Sequence, residues 1–281
     1  MTFRLASVSG RATLVDGDAL HDLEGCSGGA FGPDPMAAVA GHVRLHEIAA
    51  GLAGREPTGA LAGAALDAPV PRPTNVFAIG LNYRSHAAEA GMAHDTTPDV
   101  PLVFTKFPSC ISAPDTDVAL ESDTVDHEVE LVVAIGTGGK DIAEGDAWDH
   151  VAGVTIGQDI SDRALQFAAT PPHFDLAKSR DTYGPIGPVL VSTDAFDDPD
   201  DLTLTCDVDG ERRQHASTRD MIFPVPALIA YLSSILTLSP GDLIFTGTPA
   251  GVGMATGRYL VPGAVITSTI DGVGTITNRC T

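Results

Sequence analysis

The stretch Asp126-His127-Glu128-Val129-Glu130-Leu131-Val132-Val133-Ala134-Ile135-Gly136 is the most apolar run of the chain, and it carries carboxylates at its mouth. Its composition predicts a buried strand. Residues i and i+2 of a strand point to one face, so Glu128 and Glu130 stand side by side while Val129 and Leu131 face the other way. Two like charges at that separation repel. Together with burial this raises one pKa unless a cation lies between them, and a hard divalent ion that prefers oxygen ligands suits the pair. On spacing alone, the commoner outcome for Glu-x-Glu is a solvated face or pairing with Arg or Lys.

A chain of 281 residues at 43% hydrophobic content has room for one large domain, or for a large domain and a smaller companion. No basic segment followed by an apolar one opens the sequence at Met1 to Thr13. No apolar run approaches the ~20 residues that a membrane helix requires, so the expected location is the cytoplasm. The formal charge of −21, from 37 acidic against 16 basic residues, argues against a general nucleic-acid or anionic-membrane surface. Cys26, Cys110, Cys206 and Cys280 are scattered without a Cys-x-x-Cys pair, which predicts free thiols and neither a zinc knuckle nor a disulfide framework.

Alternating segments and Asp16-Gly17 predict a small hairpin within the first 30 residues. Asp34-Pro35 opens a helix whose apolar positions run from Met36 to Ala50. His42 and His46 share one face of it, but with no third ligand nearby they read as solvent-facing. The proline-rich stretch Ala68 to Thr74 is a stiff connector and sets a domain boundary near residue 70. Beyond it, Val76 to Gly80 is a buried strand that leads into a short helix carrying His86 and Glu89. Three apart, these two share a helix face, so the carboxylate can orient the imidazole and raise its basicity as a general base requires. A surface ion pair is the commoner meaning of that spacing.

Residues 92 to 100 have the composition of a mobile, lid-like loop. A second buried strand, Val151 to Gly157, delivers Asp159 at its carboxyl end, where a third oxygen ligand could meet Glu128 and Glu130 if the two strands are neighbours. Lys178 is one of only three lysines, with Lys106 and Lys140. Gly184-Pro185-Ile186-Gly187-Pro188 is expected to be a turn ahead of a short strand at Val189 to Val191. Asp209-Gly210 and Asp271-Gly272 mark hairpins, and Pro224 to Leu236 has helical apolar spacing. Gly247 to Gly253 matches a dinucleotide loop only loosely, since no helix pattern or ribose-binding acid follows. It reads better as a turn whose backbone amides hold a carboxylate.

Five of these pieces, in this order, resemble the fumarylacetoacetate hydrolase family, in particular its acylpyruvate hydrolase and 2-hydroxyhepta-2,4-diene-1,7-dioate isomerase-like subgroup. They are Gly80-Leu81-Asn82-Tyr83 with His86 and Glu89; the strand Asp126 to Leu131; Asp159 with Arg163 and Gln166; Lys178-Ser179 with Asp181; and Gly247 to Gly253. The resemblance covers roughly residues 70 to 281, and residues 1 to 70 resemble the small variable N-terminal domain of many members. It implies an α+β, β-rich fold, with a mixed β-roll catalytic domain over 71–281, a small N-terminal α+β domain over 1–70, and assembly as a homodimer.

The resemblance also implies Mg²⁺ or Mn²⁺ held by Glu128, Glu130 and Asp159, leaving about half of an octahedral shell open for a 2-oxo acid. Arg163, Gln166 and Thr248 would fix the substrate's remaining polar atoms. His86, oriented by Glu89, would activate water, and Lys178 would stabilise the enolate. The implied reaction is hydrolysis of a carbon-carbon bond in a 2,4-dioxo acid of acylpyruvate or fumarylpyruvate type, giving pyruvate and a carboxylic acid. The alternative is decarboxylation of oxaloacetate, or isomerisation of 2-hydroxyhepta-2,4-diene-1,7-dioate in aromatic catabolism. Each position holds the residue type its role requires, which argues against a non-catalytic relative. Gln158, His127 and Phe174-Asp175-Leu176 depart from the usual pattern and bear on which acyl group fits.

Overall fold

The computed structural model describes residues 2–91 and 98–281. Met92 to Thr97 lie outside them, so most of the loop expected at 92–100 is not part of the description. The N-terminal hairpin is a three-stranded meander, β1 (Arg4–Val8), β2 (Arg11–Asp16) and β3 (Ala19–Asp22). The helix expected from Asp34 to Ala50 is two helices, α1 (Pro35–Ala40) and α2 (His42–Ala50), with Asp34 capping the first by accepting from the Met36 amide. The chain breaks at Gly41, where a Cβ would lie 2.5 Å from the Phe31 ring. His42 is buried, not solvent-facing, and His46 lies 3.5 Å from Asp194.

The chain beyond residue 75 contributes β4 (Val76–Gly80), α3 (Arg84–Glu89), β5 (Leu102–Thr105), β6 (Val129–Ile135), β7 (Val151–Gln158), β8 (Gly184–Val191), β9 (Thr203–Val208) and β10 (Glu211–Ser217). It closes with α4 (Val225–Ile235), β11 (Leu243–Phe245), β12 (Val265–Ile270) and β13 (Gly274–Arg279). Both Asp-Gly hairpins form as expected, β9 with β10 and β12 with β13. One large mixed sheet runs β3-β2-β1-β8-β7-β6-β11-β4-β5, and a second, antiparallel sheet runs β10-β9-β12-β13. The N-terminal meander joins the large sheet through β1 against β8.

The expected turn at 184–188 is instead the first half of β8. Glycines allow the close approach there. A Cβ on Gly184 would meet the Cys110 sulfur at 3.0 Å, and Gly187, at φ +148°, lies against Pro114. The β7–β8 register shifts between Val154 and Ile156, and this irregularity accommodates prolines that cannot donate to the ladder.

Strand β6 is buried along its whole length, and its two faces serve different cores. Val129, Leu131, Val133 and Ile135 pack with Leu204, Ile266 and Leu228 from the second sheet and α4. Val132 and Ala134 pack with Leu14, Leu45 and Phe245 on the other side. This period-two alternation puts Glu128 and Glu130 in register with the second set. Among the described residues no helix is long and apolar enough to cross a membrane. All four cysteines are free thiols.

Candidate active site

Strands β6 and β7 are antiparallel neighbours with Val129 opposite Gln158. Just past the ladder the Asp159 amide donates to the Glu128 carbonyl at 2.9 Å, which sets Asp159 beside the glutamate pair. Glu128, Glu130 and Asp159 are all buried, and each offers an oxygen within 4.8 Å of the others. Glu130 accepts from the Gly247 amide at 2.8 Å.

Three buried cations surround these acids. Lys178 Nζ bridges Glu128 and Asp159 at 2.6 Å each. Arg163 donates to Glu128 at 2.5 Å, to Asp126 at 2.7 Å and to the Gln166 side chain at 2.9 Å. Lys106 donates to Asp159 at 2.7 Å and to the carbonyls of Lys178 and Tyr183. Asp126, Glu128, Glu130 and Asp159 thus face Lys106, Arg163 and Lys178, four carboxylates against three cations.

The electrostatics follow from this imbalance. Burial raises the Glu128 carboxyl, but Lys178 and Arg163 outweigh it and hold the group below the usual carboxylate range. Burial pushes Glu130 well above that range, and Asp159 and Glu128 add to the push. Burial alone would lower Lys178, yet Asp159 and Glu128 keep its pKa raised. The donor set therefore fits a hard divalent cation: three oxygen ligands converge, and among the described residues Glu130 is the one of the three in no ion pair.

Across the site, His86 Nδ1 lies 2.7 Å from Glu89, whose second oxygen accepts from the Gly251 amide at 3.0 Å. The helix carrying them starts from Leu81, held at φ +56°, and from Asn82, whose side chain donates to the carbonyls of Phe223 and Thr246. The 247–253 turn uses its amides on the protein's own carboxylates: Gly247 on Glu130, Gly251 on Glu89, and Gly253 with Met254 on Asp126. A single helical turn, Gly253–Thr256, does follow it. Gly247 (φ +102°) has no room for a side chain, because a Cβ would come 2.7 Å from the Asn82 Cβ. Thr248 donates to the Val129 carbonyl at 2.9 Å and accepts from Gln214 at 2.8 Å.

These groups open onto a cavity of about 160 Å³. His86, Glu128, Arg163, Gln166, Lys178 and Thr248 line its polar side, and Ile79, Leu81, Ala90, Phe104, Phe174 and Met254 its apolar side. The nine residues singled out from sequence therefore lie around one locus, with Glu130 and Asp159 behind the cavity wall. Of the departures from the family pattern, Phe174 lines the cavity. Gln158 instead accepts from the Glu128 amide and donates to Ser268, and buried His127 points its Nδ1 at Asp126, 3.6 Å away. Sequence reasoning missed Lys106, which holds Asp159, and Asp126, which holds Arg163. The scarcity of lysine was the one signal that pointed to Lys106.

A buried carboxylate triad that could hold a divalent ion lies beside a cavity lined by His86, which is paired with Glu89, an arrangement that belongs to an enzyme. Residues 75–281 match the family model for the fumarylacetoacetate (FAA) hydrolase C-terminal domain, and the chain belongs to this family. An oxaloacetate tautomerase of Bacillus subtilis is 43% identical over 220 residues, 76% of this chain and 72% of that protein. A solved structure from Mycobacterium smegmatis superposes with a TM-score of 0.92 at 46% identity, covering 99% of this chain and 98% of that one. Maleylpyruvate hydrolase from Sphingobium sp. SYK-6, solved with manganese(II) and pyruvate, matches with a TM-score of 0.81 at 32% identity over 99% of this chain and 98% of that one.

Proposed function

We propose that this enzyme cleaves the C3–C4 bond of a 2,4-dioxo acid by hydrolysis, releasing pyruvate and a carboxylic acid. The observation that carries the reading is that His86, with Glu89 behind it, lines the same cavity as Glu128, Arg163 and Lys178. Mg²⁺ or Mn²⁺, held by Glu128, Glu130 and Asp159, supplies a Lewis acid for the 2-oxo group when bound.

The chain's own residues do the rest. Arg163, Gln166 and Thr248 hold the substrate's polar atoms. Glu89 accepts a hydrogen bond from His86 Nδ1–H, which leaves Nε2 as the basic nitrogen. Nε2 takes a proton from water, the resulting hydroxide adds to the C4 carbonyl, and the C3–C4 electron pair moves onto C3. The pyruvate enolate so formed takes that proton from His86 Nε2 at C3, which gives pyruvate and restores the neutral imidazole. Lys178 faces the developing negative charge, and losing a preorganised donor of this kind costs about 100- to 1,000-fold in rate. The test is turnover of acylpyruvates by wild type, His86→Ala and Glu128→Ala. Near wild-type rates in either variant remove the scheme.

The Bacillus subtilis relative favours a second reading, keto-enol exchange of oxaloacetate, in which the same His86 moves a proton at C3 and no water is activated. Product analysis separates the two, since only hydrolysis yields a second acid. We also propose a homodimer with no nucleic-acid or membrane partner. This rests on the family resemblance and the charge of −21, and sedimentation in solution checks the assembly.

A further inference from the structure

The residues that line the cavity fall into two chemically unlike halves, and its cations, Arg163 and Lys178, belong to one of them. Arg163 is committed to Asp126, Glu128 and Gln166, and Lys178 to Glu128 and Asp159. The Lys178 ammonium lies 5.2 Å from the Phe104 ring centroid, so Phe104 marks the boundary. Beyond it Phe104 and Phe174 pack at 5.3 Å with their planes tilted by 36°. Ile79, Leu81, Ala90 and Met254 complete that half. Among the described residues lining it there is no cation and no hydrogen-bond donor side chain aimed at a distal anion.

We infer that this half is the acyl subsite, that it accepts an uncharged apolar acyl group, and that Phe104 and Phe174 select against substrates ending in a second carboxylate. The inference rests on the hydrolytic reading above. A carboxylate placed there loses its hydration without gaining a partner. It also meets aromatic faces, whose quadrupole is negative. An alkyl or aryl group has neither penalty. Oxaloacetate falls outside the comparison, because its second carboxylate occupies the position of the scissile carbonyl and not the acyl end.

Butanoylpyruvate and succinylpyruvate provide the test, since they match in chain length and differ by a terminal methyl against a carboxylate. With the Mg²⁺-loaded full chain, kcat/KM should favour butanoylpyruvate by about 100-fold. Phe174→Arg, which places a cation in that half, should narrow the ratio to below about 10-fold by raising the succinylpyruvate value and lowering the other. Mg²⁺ affinity, measured calorimetrically on the variant, reports that its site is intact, and Phe174→Gln should give an intermediate ratio. Equal or better use of succinylpyruvate by wild type overturns the inference. If neither compound is hydrolysed, the hydrolytic reading fails, and the same ratio is then read in their dissociation constants for the Mg²⁺-loaded protein. Equal constants there overturn the subsite assignment.

Discussion

Glu89→Gln is the sharpest single test of the base, because the structure dictates how the amide must turn. Glu89 accepts two hydrogen bonds, one from His86 Nδ1 at 2.7 Å and one from the Gly251 amide at 3.0 Å. Gln has one acceptor oxygen. The Gly251 N–H is a backbone donor that cannot reverse its role, so the amide oxygen turns to it and the NH₂ group faces His86. The imidazole must then accept at Nδ1 and carry its proton on Nε2, the nitrogen that should take a proton from water. The group stays in place and the wrong tautomer is selected. Where the carboxylate of a hydrolytic triad is replaced by its amide, this fault lowers kcat about 10⁴-fold, equivalent to roughly 5 kcal/mol of barrier. Here the expected loss is between about 10³ and 10⁴ in kcat, with KM little changed, since Glu89 is not among the cavity-lining residues. The assay is steady-state acylpyruvate cleavage, with Mg²⁺ affinity measured alongside as a control for the intact carboxylate triad. A kcat within about 10-fold of wild type, with metal affinity preserved, would falsify the assignment of His86 as the base.

Three further outcomes follow from the same geometry. Burial, with Asp159 and Glu128 beside it, raises Glu130 above its ordinary 4.5, so the metal-free folded protein holds a proton that the unfolded chain has lost. That contribution to stability is complete below the unfolded value and disappears as pH rises through the folded one. Thermal midpoints of the metal-free protein should therefore fall as pH rises above 4.5 and those of the Mg²⁺-loaded protein less, with proton release on ion binding over that range. Calorimetry in two buffers of different ionisation enthalpy measures the release as a function of pH, and none at any pH above 4.5 would contradict the raised Glu130. Lys106→Met removes a fully buried ammonium, leaving Asp159 with Lys178 alone and taking one donor from the Lys178 and Tyr183 carbonyls; urea unfolding should show a loss of about 3 kcal/mol, and a change under about 1 kcal/mol would show that Lys106 holds nothing in place. Gly251→Ala drives a Cβ into the Arg213 carbonyl at φ +108°, so both stability and Glu89-dependent turnover should drop, and a variant with wild-type kcat would detach this turn from the catalytic pair.

How much of this was legible in the sequence depends on the distance over which each arrangement is set. Strand alternation alone aligns Glu128 with Glu130, and helical spacing alone aligns His86 with Glu89; both are local consequences of backbone geometry, so the letters display them. Asp159 needed one non-local assumption, the adjacency of β6 and β7, and the antiparallel register supplies it. The break at Gly41 and the strand through Gly184 to Pro188 were hidden because the deciding contacts are an aromatic ring and a distant proline, Phe31 and Pro114. Lys106 was hidden for a deeper reason. A lysine at the end of a short strand ordinarily reads as a solvated side chain. Here its three acceptors come from residues 53, 72 and 77 positions away, and only the completed fold brings them to one point. Its burial is offset by the ion pair with Asp159 and by the carbonyls of Lys178 and Tyr183. The least legible residue and the most legible ones are therefore parts of one network: local pattern reveals the acids, while the cations that pair with Glu128 and Asp159 are brought to them by topology.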